Sequence, residues 1–274
     1  MKNLRVAVLG SGSMGGAIID GLLADGFNPE QITVTSKSEA SATPWRSKRV
    51  HSLALEVDEA ANASAVKGAN LVLVAVKPAF VLDVLKQSSP NLSPDALIIS
   101  VAAGITTTAM EAVVVESVAV IRAMPNTPSV IGLGMTGISA GSRAAETQVK
   151  LAEQLFGMVG KTLVLPESQI DALSTISGSG PAYVFYFVEQ LIEASQKLGF
   201  DGETAKLLVG ETFRGASEYL IASGSEAADL RAQVTSPNGT TMRAIAELEK
   251  LELAKGFEAA LDAALARARE LAAG

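Results

Sequence analysis

The sequence predicts a two-part chain: an α/β domain on a doubly wound, mostly parallel sheet over residues 1–165, then an all-α domain over residues 166–274. Three observations predict it. Short apolar runs alternate with amphipathic stretches through the first part, the rhythm of strand–helix repeats that assemble a parallel sheet. After Pro166 that rhythm stops and long helical periods take over. A glycine cluster, Gly10-x-Gly12-x-x-Gly15, follows the first apolar run directly.

Taken in order, residues 4–9 are a strand-type run, and residues 17–24 are an amphipathic helix that stops at Gly26. Residues 31–36 form a second strand. Residues 38–48 are polar and carry Pro44, which reads as a loop. A third strand lies near His51, and residues 62–67 close a short helix. Residues 70–76 read as a strand, continuously apolar after Asn70, as a strand buried on both faces requires. Strand 97–101, helix 106–112 and strand 118–122 repeat the unit. Strands at 135–140 and 162–165 flank a helix over 143–158. Beyond Pro166 the long helices are 182–198, 202–222 and 253–272, with shorter pieces between them, one starting near Gly239. Tyr183-Val-Phe-Tyr-Phe-Val188 is apolar almost all round its helix, so it must be covered on most sides. The expected cover is an interwoven dimer core; a central helix of a monomeric bundle is the alternative.

With 274 residues, 48% of them hydrophobic, the chain can bury one large core or two ordinary ones. Its 19% of charged residues are too few and too mixed for a disordered chain. The absence of cysteine excludes disulfides and thiolate-held zinc. His51 is the only histidine and reads as structural, so neither a Ser-His-Asp triad nor any metal site is expected. A net charge of −7 argues against nucleic acid or an anionic membrane as partner. The longest apolar run, residues 96–105, is too short to span a bilayer, and the basic-then-apolar start runs into a glycine loop instead of a cleavage site. A cytoplasmic protein is expected.

The glycine cluster matches the dinucleotide fingerprint, which gains weight because it ends a strand and opens a helix. Gly10 permits the tight turn, Gly12 admits a pyrophosphate to the backbone, and Gly15 lets helix and sheet approach. Ser11, Ser13 and Met14 complete the loop. This makes the first part a Rossmann domain. NAD-binding members carry an acid at the end of the second strand. Here that strand ends Thr35-Ser36-Lys37-Ser38, with Glu39 further on, so hydroxyls and a lysine suit a 2′-phosphate. NADP is expected over NAD, with Ser36 and Lys37 as contacts; Arg46 and Lys48 read as solvated charges. Two further strand ends, Val76-Lys77-Pro78 and Ala102-Ala-Gly104, join the cofactor side, although a plain βα loop would explain either alone. Arg122-Ala-Met-Pro-Asn126-Thr-Pro128 is stiffened by two prolines and offers Asn126 to a nicotinamide or substrate. In the helical part, Ser177-Gly-Ser-Gly-Pro-Ala-Tyr183 and Val234-Thr-Ser-Pro-Asn-Gly-Thr-Thr241 are hydroxyl- and turn-rich runs leading into helices. Both read as anion cradles, with an N-cap and its turn as the simpler explanation.

These motifs, with Ala75-Val-Lys-Pro78 and Met124-Pro-Asn-Thr-Pro128, stand in the order and spacing of the pyrroline-5-carboxylate reductases, which the chain resembles over essentially its whole length. The resemblance implies reduction of L-1-pyrroline-5-carboxylate, a cyclic imine, to L-proline by NADPH, the last step of proline biosynthesis, with NADH the weaker donor. It implies that Ser236, Gly239, Thr240 and Thr241 hold the substrate carboxylate, with the Thr241 hydroxyl toward the ring nitrogen. The glycine loop, Ser36, Lys37, Asn62, Ala75, Lys77 and Ala102 would line the cofactor. It further implies a homodimer through the helical domain, with rings of dimers, up to a decamer, in some members. The chain departs from the family at Asn238, where glycine is usual; asparagine tolerates the left-handed backbone such a turn needs. Residues 38–49 are a second departure from the family's pattern. Two other readings remain at this level. A β-hydroxyacid dehydrogenase would need a lysine in the middle of the helix after Pro181, where only Lys197 stands, near its end. A non-catalytic NADP sensor would share the fingerprint but has no use for the loop at 234–241.

Overall fold

The computed structural model describes residues 4–273, with side chains through 270. Eight strands form one sheet in the order β3-β2-β1-β4-β5-β6-β7-β8. They are β1 (Val6–Leu9), β2 (Ile32–Ser36), β3 (His51–Ala54), β4 (Leu71–Val74), β5 (Leu97–Ser100), β6 (Ala119–Met124), β7 (Gly134–Ala140) and β8 (Gly160–Val164). Every pairing is parallel except β6 with β7. The exception follows from chain length. Only residues 125–133 join these two strands, and a parallel return needs a crossover of a dozen residues or more.

Strand alternation sorts the apolar residues into two cores. Val6, Val8, Leu71, Leu73, Leu97 and Ile99 face one side. There they meet Ile18, Ile19 and Leu22 of α1 (Ser13–Ala24) and Ala152, Leu155 and Phe156 of α6 (Glu146–Gly157). Ala7, Leu9, Val72, Val74 and Ile98 face the other. That core is closed by α3 (Ala61–Ala65), α4 (Val81–Ser88) and α5 (Thr107–Glu111). Side chains pointing to alternate faces, both covered, make the doubly wound sheet.

One expectation is corrected. Residues 38–48 are not a loop: α2 (Glu39–Ser47) runs through them with Pro44 inside it. Ser38 caps the helix by accepting the Ser41 N–H. Ala42 and Trp45, three apart on one face, are buried. The Trp45 ring lies where a Cβ on Gly16 of α1 would come within 3.3 Å of it. Packing of that indole outweighs the hydrogen bond Pro44 cannot make.

The chain divides into two compact units. The first contains the whole sheet and takes in the end of α12 from Ala264; the second is Ala182–Ala263. Helices fill the region after β8: α7 (Ile170–Leu173), α8 (Gly180–Lys197), α9 (Gly202–Ser223), α10 (Ala227–Gln233), α11 (Thr240–Glu249) and α12 (Leu253–Ala273). Asp201 starts α9 by accepting the N–H groups of Glu203 and Thr204. Within Ala182–Ala263 only Ala205 and Val209 are buried. Phe187 meets Phe257 at 6.0 Å between ring centroids, whereas Phe185 and Tyr186 remain 65% and 61% exposed.

Candidate active site

The cofactor residues expected from the sequence gather at one edge of the sheet, the C-terminal ends of β1, β2, β4 and β5, across the point where strand order reverses between β1 and β4. Gly10 leaves β1 with φ +104°, and a Cβ there would lie 2.8 Å from the Ala75 carbonyl oxygen. A Cβ on Gly15 would lie 2.1 Å from the Gly10 carbonyl oxygen. Both glycines are therefore demanded by the chain's own packing. Gly12 is different: nothing lies within 4 Å of a Cβ built on it. It caps α1 without a side-chain hydrogen bond, and the first turn of α1 carries no acid. Open space over an uncapped helix start fits a pyrophosphate. Ser13 is exposed beside it, and Met14 is half-buried against the core.

Hydrogen bonds hold this loop to its neighbours. The Gly10 N–H reaches the Thr35 hydroxyl at 3.3 Å, and that hydroxyl donates to Asn62 Oδ1 at 2.7 Å. The Ser11 and Ser36 hydroxyls are 2.7 Å apart. Asn62 and Ser36 are buried, and both thus brace the loop from beneath. Lys37 is exposed. Val76 is half-buried, Lys77 and Pro78 open a short 3-10 turn at the surface, and Ala102 is buried at the end of β5. His51 is exposed, with Nδ1 3.5 Å from the Thr33 hydroxyl.

The segment after Ser36 is more tied than its sequence suggested. Arg46 holds the Glu39 carboxylate through both terminal nitrogens and donates Nε to the Ser52 carbonyl at 3.1 Å. The Arg46 side chain lowers the Glu39 carboxyl pKa, and Glu39 in turn raises that of Arg46. Lys48 bonds Asp20 at 2.6 Å, its ammonium 4.8 Å from the Trp45 ring centre. Glu56 accepts the Glu39 N–H.

At the end of β6, Asn126 is 9% exposed. Its Oδ1 accepts the Met135 N–H at 2.8 Å and its Nδ2 donates to the Ser177 carbonyl at 3.0 Å. The carbonyl is free for it because the residue one helical turn on is Pro181, which has no N–H. This corrects the reading of residues 177–183 as a cradle. Helix already runs from Ile170 through a π-helical turn, Ser174–Gly178, into α8, so the run is no helix start, and the Ser179 N–H is spent on the Ser174 carbonyl. Nearby, buried Arg122 pairs with Asp171 at 2.5 Å and Glu167 at 3.6 Å, and Glu167 also accepts the Thr107 hydroxyl at 2.6 Å. Sequence reading found neither this network nor the Glu56 contact, because no spacing announces pairs so far apart in the chain.

In the helical unit the second run is a true helix start. Thr235 ends α10's last turn through its hydroxyl on the Arg231 carbonyl at 2.6 Å. Asn238 takes φ +61°, the left-handed angle expected of it. A Cβ on Gly239 would come 2.6 Å from the Ser236 hydroxyl and 3.1 Å from its carbonyl oxygen, so any other residue there would have to turn the Ser236 side chain aside. Gly239 caps α11 with no side chain, leaving the first-turn N–H groups uncapped, no acid in that turn, and the Thr240 and Thr241 hydroxyls at its head. Ser236 and Thr240 are exposed and Thr241 half-buried. Such a terminus can hold a carboxylate.

Comparison with known proteins is consistent across both units. The family described as pyrroline-5-carboxylate reductase dimerisation matches residues 167–271, and the one described as NADP oxidoreductase, coenzyme F420-dependent matches residues 5–104. A pyrroline-5-carboxylate reductase of Pseudomonas aeruginosa is 40% identical over 99% of this chain and 98% of its own. The structure of such a reductase from Coxiella burnetii superposes with a TM-score of 0.89 at 36% identity, covering 98% of each chain. That of Plasmodium falciparum pyrroline carboxylate reductase, with NADP bound, gives 0.86 at 27% identity, covering 99% of each.

Proposed function

Because the chain belongs to the pyrroline-5-carboxylate reductase family, we infer that it reduces L-1-pyrroline-5-carboxylate to L-proline with NADPH, the closing step of proline biosynthesis. Identity of 40% extending through both units carries this conclusion. The C-terminal region is the oligomerisation domain.

The glycine loop, Ser36, Lys37, Asn62, residues 75–78, Ala102 and Asn126 are the cofactor side of this reading, supported by their meeting at one sheet edge. Bound NADPH supplies the hydride. A protonated imine is already electrophilic, so the chain's own residues have mainly to orient it. The uncapped first turn of α11, with Ser236 and Gly239 before it and Thr240 within it, receives the ring carboxylate. The Thr241 hydroxyl holds the proton on the ring nitrogen. As the imine carbon gains hydrogen, the C=N π pair passes to nitrogen, which keeps its proton. Nothing in that sequence calls for histidine.

The division into an NADP-binding domain, residues 1–165, and a helical substrate-binding and dimerisation domain, residues 166–274, is supported by the end of β8 at Val164 and by the family match that starts at residue 167. A homodimer is supported by the exposed rings of α8; a ring of such dimers, up to a decamer, is an extension of this reading. A cytoplasmic site of action fits the soluble substrate, and no helix among the described residues is long and apolar enough to cross a membrane.

NADPH oxidation with the five-membered imine tests the activity, with the six-membered imine and a 3-keto acid as controls. Rapid turnover yielding proline is expected. NADPH binding without turnover of any imine would establish the sensor instead. Thr241→Ala should lower kcat on the order of a hundredfold and Thr241→Ser should largely keep it. An alanine variant as active as the parent removes the role given to that hydroxyl.

A further inference from the structure

We propose that Glu56 is a specificity-determining residue for the cofactor: its carboxylate, fixed against residues 37–39, opposes the 2′-phosphate and keeps the preference for NADPH over NADH narrower than Lys37 alone would set it. The inference rests on the reading that the adenosine ribose lies at the end of β2.

Three observations carry it. The first is where Glu56 sits. Pairing between β2 and β3 continues past Ala54, with the Leu55 N–H on the Ser36 carbonyl at 2.9 Å and the Glu56 N–H on the Lys37 carbonyl at 3.2 Å. The backbone of Glu56 is thus bonded to that of Lys37. The second is what its side chain does. Glu56 Oε1 accepts the N–H of Glu39, the first residue of α2. A carboxylate therefore already lies against the segment that a 2′-phosphate would have to approach. The third is how the local cations are used. Arg46 is engaged by Glu39 and the Ser52 carbonyl, and Lys48 by Asp20. Among the described residues Lys37 makes no ion pair, so it is the uncommitted cation of this segment, and its backbone is the one bonded to that of Glu56.

Charge decides which cofactor is affected. The 2′-phosphate of NADPH is a dianion near neutral pH; the same position of NADH carries an uncharged hydroxyl. A nearby carboxylate repels the first and leaves the second alone. Over the several ångströms of exposed, partly screened space here, one carboxylate changes the ratio by roughly threefold to tenfold. Packing cannot imitate this effect, because glutamine retains the oxygen that accepts the Glu39 N–H.

Binding of NADP+ and NAD+ to the full-length protein is measured by calorimetry for the parent, Glu56→Gln and Lys37→Ala, at low salt and at about 0.5 M salt. Alongside, kcat/KM is measured for NADPH and NADH. Glu56→Gln is expected to tighten NADP+ binding threefold to tenfold, to leave NAD+ binding unchanged, and to lose most of this gain at high salt. Equal affinities in parent and variant, or a parallel gain for NAD+, overturn the proposal. Lys37→Ala separates the two levels. If it weakens NADP+ alone while Glu56→Gln does nothing, the site is correctly placed and only the role of Glu56 is wrong. If neither substitution moves the ratio, the 2′-phosphate lies elsewhere and the proposal fails with the reading beneath it.

Discussion

Strands β1, β4 and β5 bury every one of their residues, while between Ala182 and Ala263 only Ala205 and Val209 are buried. The difference lies in what each region needs for cover. The sheet has helices on both faces and closes its two cores by itself. The helical unit leaves Phe185, Leu207 and Ile221 between 65% and 82% exposed, far more apolar surface than a self-sufficient unit shows. A dinucleotide-binding domain can be complete alone, whereas an oligomerisation domain holds half of a core.

Breaking that half-core should have the largest effect. Phe185→Asp puts a charge on the exposed face of α8, and a buried unpaired carboxylate in an interface costs several kcal/mol. Light scattering should show the oligomer falling to monomers and imine turnover lost, while NADPH fluorescence still reports binding to the sheet domain. A variant that keeps the parent mass would mean that α8 is covered in some other way.

Within the sheet domain the glycine loop offers a finer contrast. Gly15→Ala forces a Cβ against the Gly10 carbonyl and should cost about 1–3 kcal/mol of unfolding free energy. Gly12→Ala meets no protein atom, and its φ of −67° suits alanine. It should leave the urea midpoint unchanged or slightly raised and still weaken NADPH binding about tenfold or more. If Gly12→Ala costs stability and spares the cofactor, the open space over Gly12 is not where the pyrophosphate goes.

The smallest effect belongs to the cap of α9. Hydrogen bonds, first from the Thr204 N–H and then from its hydroxyl, hold the Asp201 carboxyl pKa below its ordinary value. A depressed carboxylate pKa adds stability that is complete above about pH 4 and is lost as the pH falls through the folded-state value. Asp201→Asn should therefore melt slightly below the parent near pH 7, and the gap should narrow as the pH is taken below about 4. Curves that stay parallel across that range would show that the carboxylate's charge does nothing for the cap.

The same contrast marks what could be read in the sequence. The sheet domain was legible because buried strands and glycine turns write local patterns: residues 71–76 are apolar throughout, and β4 occupies Leu71–Val74. The start of α11 was legible for the same reason, down to the left-handed Asn238. Helix α2 was missed because the local signal, Pro44, points the wrong way, and the force that overrides it is an indole packing on Gly16 of another helix. The π-helical turn was missed because small hydroxyl residues look alike at a helix start and inside one. The Glu56 contact left no mark at all, since it joins the chain just after β3 to the start of α2 through a single side chain.

The bracket that Asn126 makes between the Met135 N–H and the Ser177 carbonyl has a bearing on how such sequences can drift. Its second bond exists because Pro181 withholds a donor. Exchange of that proline for any other residue would hand the Ser177 carbonyl a rival N–H and loosen the stiff turn after β6 without touching it. The two positions are thus coupled through one carbonyl, and a substitution at Pro181 is expected to be felt at Asn126.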